Sequence, residues 1–268
     1  MANIFGSGLS GLGNRLTSKM AHIPGKPAII ILAAGLGTRM KSNKAKVLHE
    51  ILGKPMVLHV VETAQKVVGN DIVLVIGHQA EKVRQIVSET HQVLFTVQQE
   101  QLGTGHAVMC ALSDIPDHAR QVIILCGDVP LLTADTILRF LDDHVNANRD
   151  LTLLAVEIDN PAGYGRVLID ENRHVTGIVE EADATEQQKK IKTINTGIYC
   201  VKKEFLSESL GKITPDNVQG EFYLTDIVEM GCKEGKIVGM VVGSDYQEFA
   251  GINTVQDLIR AEQIMRNR

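Results

Sequence analysis

The chain has no tryptophan, no C-x-x-C pair of cysteines and no apolar run near the about 20 residues that a bilayer crossing requires. Cys110, Cys126, Cys200 and Cys232 stand isolated along 268 residues. That spacing excludes a clustered zinc site or a dithiol redox motif and fits a reducing cytosol, so a cytoplasmic protein is expected. A positive surplus is also missing. The formal net charge of −5 argues against nucleic-acid binding, although a few local cations still suffice for a phosphate. Residues 1–27 are rich in Gly and Ser and carry Arg15 and Lys19, but have no continuous apolar core. They read as a flexible extension and not as a secretory leader. His49, His59, His78 and His106 lack ligand spacing, and no serine–histidine or paired-carboxylate arrangement occurs. No membrane and no obligate protein partner is implied.

What the chain does have is the stretch over residues 28–46, AIIILAAGLGTRMKSNKAK. Residues 28–32 are short, apolar and isoleucine-rich, as expected of a strand buried on both faces of a parallel sheet. Gly35 and Gly37 follow, letting the backbone turn tightly and approach a ligand where a Cβ would clash. Successive N–H groups in such a loop suit an anion, and Arg39 and Lys46 add charge where a polyphosphate would lie. The pattern is neither G-x-G-x-x-G nor G-x-x-x-x-G-K-[ST], so neither a dinucleotide fold nor a Walker loop is implied.

Strand-like and helix-like patterns then alternate. Helices are expected over 55–68, 80–87, 105–112 and 133–145, and strands over 72–76, 93–97 and 122–125. Such alternation predicts βαβ units, right-handed crossovers and a mostly parallel sheet, with ligands beyond the strand carboxyl ends. From residue 151 the pattern changes to closely spaced strands over 151–158, 166–169, 175–179 and 194–201, which suggests hairpins or a smaller mixed subsheet. Residues 254–268 read as an amphipathic helix capped by Thr254, with Val255, Leu258, Ile259 and Met265 on one stripe. The charged run over 186–192 reads as solvated.

Three further groups carry chemistry. Residues 98–106, QQEQLGTGH, put amide side chains beside a glycine, which suits the edge of a nucleobase; Thr104 could equally cap a helix. Asp128, in LCGDVPLL, lies just past a strand, where a carboxylate can hold Mg²⁺ or simply cap the turn before Pro130. Gly165 in GYGR, Glu180 in GIVE and Asn195 in INTGIY can bond sugar hydroxyls and an N-acetyl group, and each also serves as ordinary turn chemistry.

The strings LAAGLGTRM, KVLHEILGKPM and QxEQLGTGHA, in this order, make the chain resemble sugar-phosphate nucleotidyltransferases. Within them it is most similar to the uridyltransferase domain of bacterial bifunctional N-acetylglucosamine-1-phosphate uridyltransferases, over about residues 28–268. The resemblance implies an α/β, Rossmann-like nucleotide-diphospho-sugar transferase fold. It implies Mg²⁺-dependent transfer of UMP from UTP to N-acetylglucosamine-1-phosphate. Arg39 and Lys46 would be the catalytic cations, with Leu32, Ala33, Gly35, Gly37, Gln98, Gln101, Gly103 and Thr104 around UTP. Gly165, Glu180 and Asn195 would hold the sugar, and Asp128 and Asn253 the metal. Glu221, Tyr223 and Thr225 match a further segment near the sugar.

Ala45 stands where the family often has proline, and Cys126 where it often has tyrosine. Residues 28–252 would form the transferase domain, and 253–268 a helix leading toward a β-helix domain whose hexapeptide repeats this sequence lacks. The acetyltransferase activity is therefore not carried over. Two rivals stay open: another sugar-1-phosphate nucleotidyltransferase of this fold, and a non-catalytic nucleotide-sugar sensor. A degenerate sensor would be expected to lose Arg39, Lys46 or Asp128, and all three are present.

Overall fold

Alternate residues of the first strand bury into two different cores, and that single fact sets the layering. A computed structural model describes residues 26–268, so nearly all of the extension expected over 1–27 lies outside the described residues. In β1 (Ala28–Ala33), Ile29 and Ile31 pack with Val57 and Val61 on one side, while Ala28 and Ile30 pack with Ala107 and Val108 on the other. Ile29, Ile30 and Ile31 are each 0% exposed, and burying one such side chain is worth about 1.5–3 kcal/mol. The isoleucine run is thus what a doubly covered parallel strand requires.

The elements follow in order. A two-residue hairpin pairs β2 (Glu50–Ile51) with β3 (Lys54–Pro55), and α1 (Met56–Val68) follows it. Next come β4 (Ile72–Ile76), α2 (Ala80–Ser88), β5 (Leu94–Val97), α3 (Thr104–Ala111), β6 (Gln121–Cys126) and α4 (Ala134–Asn146). The second half runs β7 (Leu151–Glu157), β8 (Arg166–Ile169), β9 (Val175–Val179) and β10 (Thr193–Lys202). It closes with α5 (Lys203–Leu210), α6 (Asp226–Lys233), β11 (Val238–Gly243), α7 (Tyr246–Phe249) and α8 (Val255–Asn267).

Among the described residues nine of these strands build one sheet, ordered β11-β7-β10-β6-β1-β4-β5 with the β8–β9 hairpin branching from β10, and β2 and β3 stand apart from it. β1 lies parallel between β4 and β6. The chain therefore runs outward from β1 through β4 and β5, then returns to the other side of β1 as β6. That reversal opens a crevice at the carboxyl ends of β1 and β6, the usual ligand position in such sheets. Gly127 N donates to Leu32 O at 2.9 Å and ties the two loops at its base.

The later strands form the mixed part expected there: β10 is ten residues long and pairs antiparallel with both β6 and β7, and the β8–β9 hairpin branches from it. One expectation needs correction: the last helix partly buries Leu258 and Met265 of the stripe expected of it but leaves Val255 and Ile259 out. Val255 and Ile259 are 47% and 50% exposed, while Ala261 packs with Ile51, Met56, Leu131 and Ile252, joined by Leu258, Ile264 and Met265. The two faces differ little in sequence; the apolar surface offered by the β2–β3 hairpin decides between them. Thr254 does cap this helix, in a reciprocal capping box with Asp257.

Candidate active site

The loop after β1 lies against the segment that carries Lys46. Gly37 has φ +65°, and a Cβ there would stand 2.4 Å from Lys46 Cβ, so only glycine permits this approach. Lys46 opens a 3-10 turn whose Val47 and Leu48 are buried, which fixes its backbone. Gln79 steadies the preceding residues: its Nε2 donates to Asn43 O at 2.6 Å, and its Oε1 accepts from Ala45 N at 3.1 Å. That brace was not legible in the sequence, where Gln79 follows a glycine–histidine pair without any motif.

Lys46 Nζ donates to Asp128 Oδ2 and, at 3.1 Å, to Asn253 Oδ1. Arg39 Nη2 donates to the same Asn253 oxygen at 2.8 Å. Asn253 is itself anchored on both sides. Its N–H donates to Asp257 Oδ2 at 3.2 Å, and its Nδ2 donates to Gly251 O at 3.1 Å. Ile252 N donates to Asp128 O at 2.9 Å, joining the segment before α8 to the turn after β6. Four residues expected to act on phosphate and metal thus meet from three distant parts of the chain.

This donor set has the chemistry for Mg²⁺. One carboxylate oxygen and one amide oxygen already share a single cationic group, the Lys46 ammonium, and hard oxygens are what Mg²⁺ takes while retaining waters and phosphate oxygens. The pair fits. Among the described residues no cluster of three or more His, Cys, Asp or Glu is arranged to hold a metal by itself. Such a two-ligand site would need the substrate's own phosphate oxygens to complete it.

A cavity of about 450 Å³ opens beside this cluster. Leu32, Ala33, Gly35 and Gly37 line one side, Gln98, Gln101, Gly103 and Thr104 another, and Lys46 and Asp128 its end. Within the 98–106 loop the amide side chains also bond to the loop itself. Gln98 is 3% exposed; its Nε2 donates to Gly103 O at 3.0 Å and lies 3.1 Å from His106 Nδ1. Its amide hydrogens therefore hold the loop's shape. Gln101 Nε2 donates to Gln98 O at 3.3 Å.

Gly103, at φ +107°, lies so close to the 221–222 segment that a Cβ would stand 2.6 Å from Phe222 O. Thr104 is the first residue of α3 and does not cap it; its hydroxyl accepts from Leu224 N at 3.1 Å. Glu221, from that segment, also lines the cavity.

Gly165, Glu180 and Asn195 come together outside this cavity. Asn195 N donates to Gly165 O at 2.9 Å, and a Cβ on Gly165 would lie 3.2 Å from Glu180 Oε2. A β-bulge in β10, with Gly197 at φ +76°, breaks the register between Asn195 and Ile198. Asn195 Nδ2 donates to the buried Tyr199 hydroxyl at 2.7 Å. Thr225 Oγ1 donates to Glu180 Oε1 at 3.1 Å. Burial nonetheless raises the Glu180 carboxyl above its ordinary value, and Asp183, Asp226 and Glu221 act in the same direction.

Cys126 lines the first cavity and faces the Gly197 carbonyl at 3.7 Å. Burial and the Asp128 carboxylate push its thiol up to about 12, so it stays neutral beside the cations. A second cavity of about 760 Å³ is lined by Arg39 and Asn253, which do not border the first, together with Gly163, Tyr164 and Tyr246. The hydroxyls of those tyrosines lie 2.8 Å apart. The Lys46–Asp128–Asn253–Arg39 cluster therefore forms a wall between two cavities, one polar-lipped and glycine-lined, the other beside α8.

Known proteins share this architecture. The family profile described as nucleotidyl transferase matches residues 28–267. The chain is 45% identical over 239 residues to "Bifunctional protein GlmU" of Caldanaerobacter subterraneus, covering 89% of this chain and 51% of that protein. It is 44% identical over 243 residues to the protein of the same name from Heliobacterium modesticaldum, covering 91% of this chain and 53% of that one. The chain thus spans about half the length of these relatives.

Among solved structures, a putative glucose-1-phosphate thymidylyltransferase of Bacillus anthracis, in complex with a sucrose, superposes with a TM-score of 0.71. It has 22% identity over 90% of this chain and 96% of that one, and shows the fold. HddC of Yersinia pseudotuberculosis complexed with GMP-PN has a TM-score of 0.65, 25% identity, and covers 89% of this chain and 99% of that one.

Proposed function

The chain belongs to the nucleotidyl transferase family, and from that premise we propose that it transfers UMP from UTP to N-acetylglucosamine-1-phosphate. The products are UDP-N-acetylglucosamine, a cell-wall precursor, and pyrophosphate. The observation that carries this reading is the Lys46 ammonium shared by Asp128 and Asn253, with Arg39 on the same Asn253 oxygen, at the end of a glycine-lined cavity. The 45% identity to GlmU relatives supports uridylyl transfer over the other reactions of the family.

The phosphate of the sugar substrate has a second pKa near 6, like other phosphate monoesters, and is largely ionised at neutral pH. Its oxygen attacks the α-phosphorus of UTP in line, the P–O bond to the β-phosphate breaks, and the electron pair leaves with pyrophosphate. No general base is needed. The barrier lies in bringing anions together, so positioning and electrostatics must supply most of the catalysis.

Lys46 and Arg39 would neutralise the triphosphate, and backbone N–H groups over residues 35–37 would meet its oxygens. Gln101 and Thr104 border the space for the base, with Gln98 shaping the loop behind them. Gly165, Glu180 and Asn195 would hold the sugar. Asp128 and Asn253 would hold Mg²⁺, which when bound screens the phosphates and the departing pyrophosphate. The four isolated cysteines suit work in the cytosol.

Pyrophosphate release from UTP plus N-acetylglucosamine-1-phosphate, with Mg²⁺ and with EDTA, tests the proposal. Parallel arms replace UTP by the other nucleoside triphosphates and the sugar by glucose-1-phosphate. Metal-dependent release confined to the first pair supports it. Release confined to another pair overturns the assignment of base or sugar and keeps the reaction class.

A further inference from the structure

The expected sugar residues converge on a side chain that the reaction itself does not use. Arg166 pairs in register with Val179 of β9 and with Ile194 of β10. In an antiparallel pair the residue before one partner faces the residue after the other. Gly165 therefore meets both Glu180 and Asn195, and side-chain alternation puts Arg166 on the opposite face of that junction.

Arg166 is 1% exposed and is among the largest fully buried side chains of the protein. Its Nη1 donates to Tyr164 O, and its Nη2 donates to Lys189 O at 3.3 Å and pairs with Glu181 Oε2 at 2.7 Å. Its Nε has no hydrogen-bond partner among the described residues. An apolar side chain of similar volume would fill this space without desolvating a charge, so stability alone does not account for a guanidinium here. What the planar fork does is tie three segments at once: the turn around Tyr164, the end of β9 at Glu181, and the 3-10 turn Gln188–Lys190.

We propose that Arg166 is a positioning residue for the sugar phosphate. By holding the carbonyl of Tyr164 and the carboxylate of Glu181, each adjacent in sequence to a sugar residue, it fixes Gly165 and Glu180 against Asn195. Glu181 responds to the contact, since Arg166 holds its carboxyl below the ordinary carboxylate range. The inference rests on the sugar-1-phosphate reading given above and adds a residue that touches no substrate.

The test is steady-state kinetics and thermal unfolding of the whole chain carrying Arg166→Met, which keeps volume and removes the three tethers. The expected result is a KM for N-acetylglucosamine-1-phosphate raised about tenfold, with the KM for UTP within about twofold, in protein that still unfolds cooperatively. A purely structural role would leave both KM values alone or move them together, and either result overturns the proposal. Should Arg166→Met fail to fold, Glu181→Gln decides by the same split, with a rise of about threefold expected for the sugar phosphate alone. Wild-type protein is assayed first. If it turns over a different sugar phosphate, the substrate reading fails and the split is measured on that sugar; turnover of none overturns both.

Discussion

Lys46 and Asp128, 82 positions apart, form an ion pair in which the two side chains are only 16% and 17% exposed. A pair this sheltered is sensitive to loss of one partner, because the remaining charge is left without its counter-ion in a weakly screened place. The Lys46 ammonium also contacts the two oxygens that, on the proposed reading, would hold a metal.

Asp128→Ala should therefore abolish turnover, by at least about a thousandfold, if the carboxylate organises the phosphates as argued. Far-UV circular dichroism should remain that of the wild type, since Asp128 lies in a turn and not in a core. Near-normal pyrophosphate release by this variant would remove Asp128 from the metal site.

Lys46→Met should separate two roles. Without the ammonium, Mn²⁺ used as a paramagnetic stand-in should bind the nucleotide-free protein more tightly, because no internal cation competes for Asp128 and Asn253. The same variant should bind UTP more weakly, by about tenfold for one lost charge-assisted contact. Electron paramagnetic resonance titration reads the first effect and isothermal calorimetry the second; unchanged Mn²⁺ affinity would refute the competition.

Gly37 and Gly35 should behave differently although they are two residues apart. Gly37→Ala puts a Cβ 2.4 Å from Lys46 Cβ at φ +65°, and should cost about 1–3 kcal/mol by denaturant titration. A Cβ on Gly35 meets nothing within 4 Å, so Gly35→Ala should leave stability unchanged. Its KM for UTP should still rise, because the space it enters is the cavity. Unchanged kinetics in Gly35→Ala would move the triphosphate elsewhere.

His144 supplies a pH dependence of stability. It is 0% exposed, with Nδ1 2.7 Å from Thr152 Oγ1 and Nε2 3.0 Å from Gln121 Oε1. Burial, helped by Arg149 and Lys202, pushes it down to about 4. The folded protein thus keeps a neutral ring where the unfolded chain, at its ordinary value near 6.5, takes a proton. The unfolded state binds more protons between those values, so this contribution is complete above about pH 6.5 and is lost as pH falls toward 4, by about 3 kcal/mol. Thermal melts of wild type and His144→Gln should differ most near neutral pH and converge as pH falls toward that lower value. A constant difference would show that the ring titrates alike in both states.

Much of the fold could be read from the sequence because its signals are local. The isoleucine run of β1, the 3.6-residue spacing in α1 and α4, and the glycines and prolines at element ends each lie within one window. The observed bounds of these elements consequently fall within one or two residues of those expected. Helices α5 and α6 and strand β11 were not foreseen. Both helices have eight residues and mix charged with apolar positions, and β11 is a half-exposed edge strand, so none gives a sustained period.

The sequence by itself determined which residues are of the right chemical type: the glycine loop, two cations, one carboxylate, one amide and the sugar trio. It also determined the α/β order that sends their loops to one end of a sheet, since apolar period and turn residues act over a few positions. Only the tertiary structure decided that Lys46 rests on Asp128 and on Asn253, 207 positions away, and that Gln98 turns its amide inward to Gly103. It alone buried Arg166 behind Gly165, Glu180 and Asn195 and chose which face of α8 to cover. Those outcomes depend on which surfaces meet. A side chain's partner is set by the geometry of packed elements, and no local pattern carries that distance.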